Sequence, residues 1–351
     1  MTPDELDELD AAHTARLARL DPAVPAPTPL TASLDPAADP ASDPASDPAR
    51  PSATGDGLFA VRLQDGSRAA GVAESSSVDE RSAAATFRAL HEHRLRPRVA
   101  GPDVPGALGA LLDRWTAAVD ASAHEVSPQG AGSTSDPRDR VLAVSWPSRD
   151  VAGGSALLAR GFRPTSVVAA RPPRSRTAGA PDDDRTDGVV VRDAVPADLE
   201  AVVAQQLAEI AYDDLTGAAH LREHTRAVLD VQVAAAIARP RSTVLVAESG
   251  GRVVGVVAVD APELSTWMAG TVVWDPVAYL VLLHVHEDVR GRGLGELLAR
   301  AAIDRVGPRL GQTGAVVLHH GALNPLSTPF WARLGFRPVH TAWELPVGRT
   351  P

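Results

Sequence analysis

The sequence predicts an α+β fold built twice, each unit a mixed, mostly antiparallel sheet flanked by helices. Three observations carry that expectation. The chain has 351 residues, which suits two domains at roughly 100 to 200 residues each. Short motifs recur in the same order in its two halves: Gly161-Phe162-Arg163-Pro164 returns as Gly335-Phe336-Arg337-Pro338, and the hairpin pattern around Gly71 returns around Gly255. The offsets, 174 and 184 residues, are close enough to point to a duplicated unit. In the second half, strand and helix patterns follow an order that needs antiparallel hairpins and one parallel crossover.

Element by element, Pro3 to Leu20 carries Leu6, Leu9, Ala12, Leu17 and Leu20 at helical spacing, with Thr2 as cap and Glu5 three residues on. Ten of the 30 prolines fall in the first 51 residues, and Leu34 to Ala49 repeats an Asp-Pro-Ala unit every four residues. Such a run has no apolar face to bury, so residues 1–56 read as a helix followed by a disordered linker. Residues 57–172 form the first unit, opening with strands Leu58–Leu63 and Ala69–Ala73 across a turn at Asp65-Gly66. A polar linker, 173–188, leads to the second unit, 189–351. There Val189–Val191 is a strand, Pro196 opens a helix to about Ile210, and Ala219 to Ala238 is a second helix. A hairpin at 243–248 and 253–260 precedes a long apolar strand at 278–286. Leu294 to Val306 is a helix with an apolar stripe. A strand at 314–320, a short helix from Pro325 to Leu334 and a last strand from Phe336 to Leu345 follow.

Composition removes several chemistries. There is no Cys, hence no disulfide, thiolate metal site or cysteine nucleophile. All 34 basic residues are Arg, which excludes a Schiff-base lysine and a Walker lysine. The net charge of −10 argues against a general nucleic-acid binder. Most of it is local: residues 1–50 hold ten acids against three arginines. No segment approaches 18 apolar residues, and Met1 to Glu5 is acidic where a secretory signal would be basic, so a cytoplasmic protein away from membranes is expected.

The segment that carries chemistry is Leu283-His-Val-His-Glu-Asp-Val-Arg290-Gly-Arg-Gly293-Leu-Gly295, set between a buried strand and an amphipathic helix. Glycines there let backbone N–H groups converge where the helix dipole is positive, a cradle for pyrophosphate, and Arg290 and Arg292 add matching charge. A solvated glycine-rich turn would look the same from these residues alone.

Leu283-x-Val285, Arg290-x-x-Gly293-x-Gly295, Asn324 and Phe330-Trp331-x-x-Leu334-Gly335-Phe336 together resemble the GNAT superfamily of N-acetyltransferases, over roughly 189–346. The resemblance implies acetyl-CoA as cosubstrate, its pyrophosphate on the backbone of Arg290, Gly291, Arg292, Gly293, Leu294 and Gly295. It implies that pantetheine lies between two splayed strands, those ending at His286 and His320. The Val285 amide would hold the thioester carbonyl, and Asn324 would contact the pantetheine arm. By itself, Asn324 before Pro325 also reads as a helix cap.

The pattern breaks where protons move. Trp331 stands where the family has a tyrosine acid, and Tyr279 stands where it often has a carboxylate or histidine base. A phenol, with an ordinary pKa of about 10, is a poor base. The candidates for acid and base are therefore His320, His284 and Tyr279; His286 and His319 lie beside them. The histidines lack metal-ligand spacing with carboxylates, so no metal is expected. Tyr212-Asp213-Asp214 suits a cationic amine, or is a solvated acidic turn, and Trp267 and Trp274 either wall a substrate pocket or pack.

In the first unit the equivalent stretch, Arg94 to Gly109, carries Pro97, Pro102 and Pro105, and each proline removes a backbone donor. It resembles a degenerate copy without the cradle, in a tandem layout similar to that of mycothiol synthases. The expected activity is acetyl transfer from acetyl-CoA to an amine of a small molecule by direct attack on the thioester. The competing expectation is a non-catalytic acyl-CoA-binding or sensor protein.

Overall fold

The structure, a computed structural model, describes residues 1–33, 52–126, 136–173, 188–239 and 243–347. The proline-rich run 34–49 and nearly all of the 173–188 linker lie outside them. The chain divides into two units: Met1–Val167 with Val339–Pro351, and Val168–Pro338.

Unit 1 begins with helix α1 (Pro3–Leu20), closed at its start by the expected reciprocal box, Glu5 N–H to Thr2 Oγ1 at 3.3 Å and Thr2 N–H to the Glu5 carboxylate at 2.9 Å. One turn, α2 (Leu30–Ser33), follows. Strands β1 (Ser52–Arg62), β2 (Arg68–Ser77) and β3 (His91–Ala100) run antiparallel in sequence, and β4 (Arg140–Pro147) pairs parallel to β3 after helix α3 (Val104–Val126). Helix α4 (Val151–Leu158) and β5 (Arg163–Arg171) complete the first repeat. Trp115, Leu108, Leu111 and Leu112 of α3 pack on Leu95, Val99, Leu142 and Val144 of the sheet, each buried large apolar side chain contributing about 2 kcal/mol.

Unit 2 repeats the pattern. Strand β6 (Val189–Asp193) leads to α5 (Leu199–Thr216) and α6 (Thr225–Ala238). Strands β7 (Val244–Ser249), β8 (Arg252–Asp260) and β9 (Val277–Val285) are antiparallel neighbours. Helix α7 (Leu294–Leu310) crosses to β10 (Ala315–Gly321), parallel to β9. Helix α8 (Ser327–Arg333) leads to β11 (Arg337–Pro346). The repeated tetrapeptides do the same work in both units: Gly161 (φ 79°) and Gly335 (φ 84°) end α4 and α8 in the left-handed conformation. The next amide, Phe162 or Phe336, bonds back to Leu157 or Trp331. Both phenylalanines are buried. Gly71 and Gly255 are equivalent too, since a Cβ on either would lie 2.9 Å from a leucine methyl, of Leu95 or Leu298.

Two boundaries differ from the expected 1–56, 57–172, 173–188 and 189–351. Helix α1 lies within unit 1, because its stripe of Leu6, Leu9, His13 and Leu17 is buried and Asp10 pairs with Arg98 of β3. The last strand also belongs to unit 1, where β11 pairs antiparallel with β4 from His340–Pro147 to Pro346–Val141. In unit 2 the expected helix at 219–238 starts only at Thr225, because Gly217 (φ 78°) caps α5 and turns the chain. Among the described residues no helix is long and apolar enough to cross a membrane.

Candidate functional site

The ladder between β9 and β10 stops early. It joins Val277–Leu280 to Ala315–Leu318, yet β9 runs on to Val285 and β10 to Gly321. Opposite, the β8–β9 register jumps from Ala258–Leu282 to Val259–Leu280, leaving Val281 as an extra residue, a β-bulge. The bulge turns the rest of β9 away from β10. It also changes which side chains share a face: Leu280, Leu283 and Val285 pack on the α7 side, Leu282 on the α5 side. His286 N–H bonds to Val254 O at 2.9 Å. Antiparallel alternation then points the Leu283 and Val285 amides away from β8, into the opened gap.

At the far end of β9 the chain turns through Gly291 (φ 80°) and Gly293 (φ 84°), both with open space where a side chain would stand. No side chain caps α7, and its first backbone bond runs from Leu297 to Gly293. The amides of Leu294, Gly295 and Glu296 thus face outward at the positive helix end. Leu294 itself is anchored in the core and offers only its backbone. Arg292 is exposed. Arg290 curls back, its Nε donating to Val285 O at 2.9 Å and its Nη2 reaching His284 Nε2 at 3.2 Å. This donor-rich turn fits a pyrophosphate. Unit 1 offers the opposite: a short Gly101-Pro102-Asp103 link, with the Asp103 carboxylate accepting from Gly106 N–H at 2.9 Å at the start of α3. A negative cap occupies the place of the anion.

Helix α5 packs on β9 and sets Gln205, Glu209 and Asp213 four residues apart along one face. Gln205 Oε1 accepts from His284 Nδ1, so both nitrogens of this ring are engaged, and burial with the Arg290 charge lowers its pKa to about 4. His284 is therefore a neutral bridge between α5 and the Arg290 turn, not an acid. Tyr279, expected as a weak base, is held protonated by burial and by the nearby Glu209 charge. Its hydroxyl pairs with His319 Nδ1 at 3.1 Å and its ring meets Trp267 edge-on at 4.8 Å. His320 is buried, its Nδ1 bonding to Gly321 O at 3.0 Å, and burial lowers its pKa while Asp213 opposes.

Asn324 does cap: its Oδ1 accepts from Leu326 and Ser327 N–H at 3.0 and 3.2 Å, and Nδ2 donates to Asp213 at 3.1 Å. Only one of its hydrogens remains for a ligand. Trp331 is buried between Phe330 and Phe336 and supplies no acid. Trp274 lies under Arg337 instead of beside Trp267. His286 sits past the end of β9, against Asp288 at 3.2 Å.

Sequence reasoning reached Asp213 but not Glu209. Burial, then repulsion from Asp213, pushes the Glu209 carboxyl up to about 8. Its four-residue spacing from Gln205 and Asp213 was the available signal.

Comparison with known proteins agrees with this geometry. Residues 205–336 match the acetyltransferase (GNAT) family, and unit 2 is a GNAT acetyltransferase domain. The family's general chemistry is acetyl transfer that depends on an acyl-CoA. Among solved structures, a GCN5-related N-acetyltransferase from Sphaerobacter thermophilus is 14% identical with a TM-score of 0.50, over 83% of this chain and 84% of its own. A tandem GNAT protein from the clavulanic acid biosynthesis pathway is 16% identical, TM-score 0.44, over 100% and 97%. The PaiA N-acetyltransferase from Thermoplasma acidophilum, in complex with coenzyme A, is 14% identical, TM-score 0.34, over 44% and 97%. Curated proteins return no match.

Proposed function

We propose that the chain is an N-acetyltransferase that moves an acetyl group from acetyl-CoA to an amine of a small molecule, by direct attack of that amine on the thioester. The observation that carries this is the parting of β9 and β10 beside the uncapped start of α7. The amides from Gly291 to Gly295, with Arg292, would hold the pyrophosphate, the Arg290 N–H being bonded to Glu287 O at 3.2 Å; Leu283 and Val285 would offer N–H groups to the arm and the thioester carbonyl; Asn324 keeps one hydrogen for it. When bound, the thioester supplies an activated acyl group. A Val285 amide aimed at that carbonyl stabilises negative charge developing on oxygen. With neither Cys nor Lys in the chain, neither serves as a covalent carrier, which favours direct transfer.

Asp213, fixed by Asn324, supplies a negative charge for an ammonium group. His320 remains the histidine placed to exchange a proton, since its Nε2 is not engaged by the bond to Gly321. The partner is a small molecule; an acidic chain suits neither nucleic acid nor an anionic membrane surface.

One observation favours a second reading, a non-catalytic acyl-CoA sensor: the buried Trp331 at the usual acid position. Thiol release from acetyl-CoA across a panel of amines separates the two. Release with an amine supports the enzyme, whereas coenzyme A binding without release for any amine supports the sensor.

A further inference from the structure

The side of the cleft that faces α5 has an aromatic wall. Trp267 is 57% exposed, stacked on His319 at 6.3 Å and 9° and edge-on to Tyr279 at 4.8 Å. A tryptophan left this open beside a polar cleft presents a large flat apolar face to whatever enters.

Glu209 faces the same cleft, because it lies on one face of α5 between Gln205, bonded to His284, and Asp213, bonded to Asn324. Glu209 is half-buried, and among the described residues its carboxyl has no hydrogen-bond partner. Burying an unpaired carboxyl is unfavourable, and a ligand with N–H donors relieves that penalty. Asp213, one turn on, is held by Asn324 at 3.1 Å and stays in place as a counter-charge. The titratable groups around this enclosure are Asp213 on α5, Tyr279 and His284 on β9, and His319 and His320 on β10, with Asp260 of β8 acting on Tyr279.

We propose that the acceptor is a primary amine carried on a flat aromatic body, its ammonium between Glu209 and Asp213 and its ring against Trp267, and that Glu209 takes the proton the amine must lose. The assignment rests on the acetyl-transfer reading and narrows it. An arriving ammonium offsets the Asp213 repulsion that favours a protonated Glu209, so the carboxylate forms where the proton must be accepted. One ammonium N–H bond breaks and its proton moves to a Glu209 oxygen. The nitrogen lone pair then forms the bond to the acyl carbon, the C–S bond breaks, and a second proton leaves nitrogen for the departing sulfur.

The test uses the full chain, acetyl-CoA, and three acceptors: 2-phenylethylamine, n-butylamine and 1,4-diaminobutane, with thiol release as readout. The expected kcat/KM for 2-phenylethylamine is about tenfold or more above the other two, as one aromatic contact provides. Trp267→Ala raises the KM for 2-phenylethylamine about tenfold and leaves the calorimetric affinity for coenzyme A unchanged, while Trp267→Phe restores most of it. Glu209→Gln lowers kcat about 100-fold and abolishes the rise of kcat/KM through pH about 8. A preference for the diamine, or Trp267→Ala without effect on the aromatic amine, overturns this assignment while acetyl transfer stands. Absence of release with every amine overturns acetyl transfer itself, and this assignment with it.

Discussion

Glu209 and Gly293 show how differently single residues read. Gly293 announces itself: a glycine before an amphipathic helix has few other uses, and its φ of 84° with empty space beyond confirms a conformational need. Gly293→Ala is expected to cost about 1–2 kcal/mol in local strain and to weaken coenzyme A binding about tenfold, by calorimetry and a thermal melt. Glu209 gives no such signal, because its state depends on burial and on Asp213, and neither is visible along a sequence. Its folded pKa, about 8, lies above the unfolded value near 4.5, so the native state binds more protons between those values. Stability falls as pH rises through that window. Glu209→Gln removes the penalty, so the variant should be more stable than the parent at pH 9, by about 1–3 kcal/mol, and unchanged at pH 4. Urea melts at the two pH values check this, and loss of activity alongside gained stability is the signature of a group buried for function.

Among the elements, the helices and strands of unit 2 were legible nearly in full, because their apolar periodicities are strong and prolines and glycines such as Pro196, Gly217, Gly293 and Gly335 mark helix ends. The strand expected at 278–286 appears as β9, Val277–Val285, and the parallel crossover joins β9 to β10 through α7. The bulge at Val281 was not legible. A bulge is a mismatch in register between two strands, and an apolar run such as Leu280-Val281-Leu282-Leu283 looks continuous whichever residue is extra. Deleting Val281 should restore a regular ladder with Leu280 and Leu282 kept on their present faces, and close the gap. Coenzyme A affinity is expected to fall at least about tenfold, since the arm then has no opening between β9 and β10, while the packing on both faces is kept. Undiminished affinity in that deletion would mean that the gap is not set by the bulge.

For the whole molecule, the duplication was readable from two short motifs, and the structure repeats them as equivalent turns in equivalent units. What the motifs misassigned was the final strand. Gly335-Phe336-Arg337-Pro338 looks like the close of the second repeat, yet Val339 onward belongs to unit 1, because strand partners are chosen by available edges and not by sequence order. Removing residues 339–351 should therefore destabilise unit 1, whose β4 loses its neighbour and the buried Val339, Thr341 and Leu345; hydrogen exchange in β4 reports it. The copies also diverge in charge at the start of the crossover helix: an uncapped turn with Arg290 and Arg292 in unit 2, an Asp103 cap in unit 1. The most direct test is a calorimetric titration of coenzyme A into the full chain, repeated with Arg290→Ala/Arg292→Ala and with Asp103→Ala. One equivalent bound, weakened about tenfold or more in the arginine variant and unchanged in the aspartate variant, is the predicted result. Two equivalents, or an affinity indifferent to both arginines, would contradict the assignment of the acyl-CoA site to unit 2.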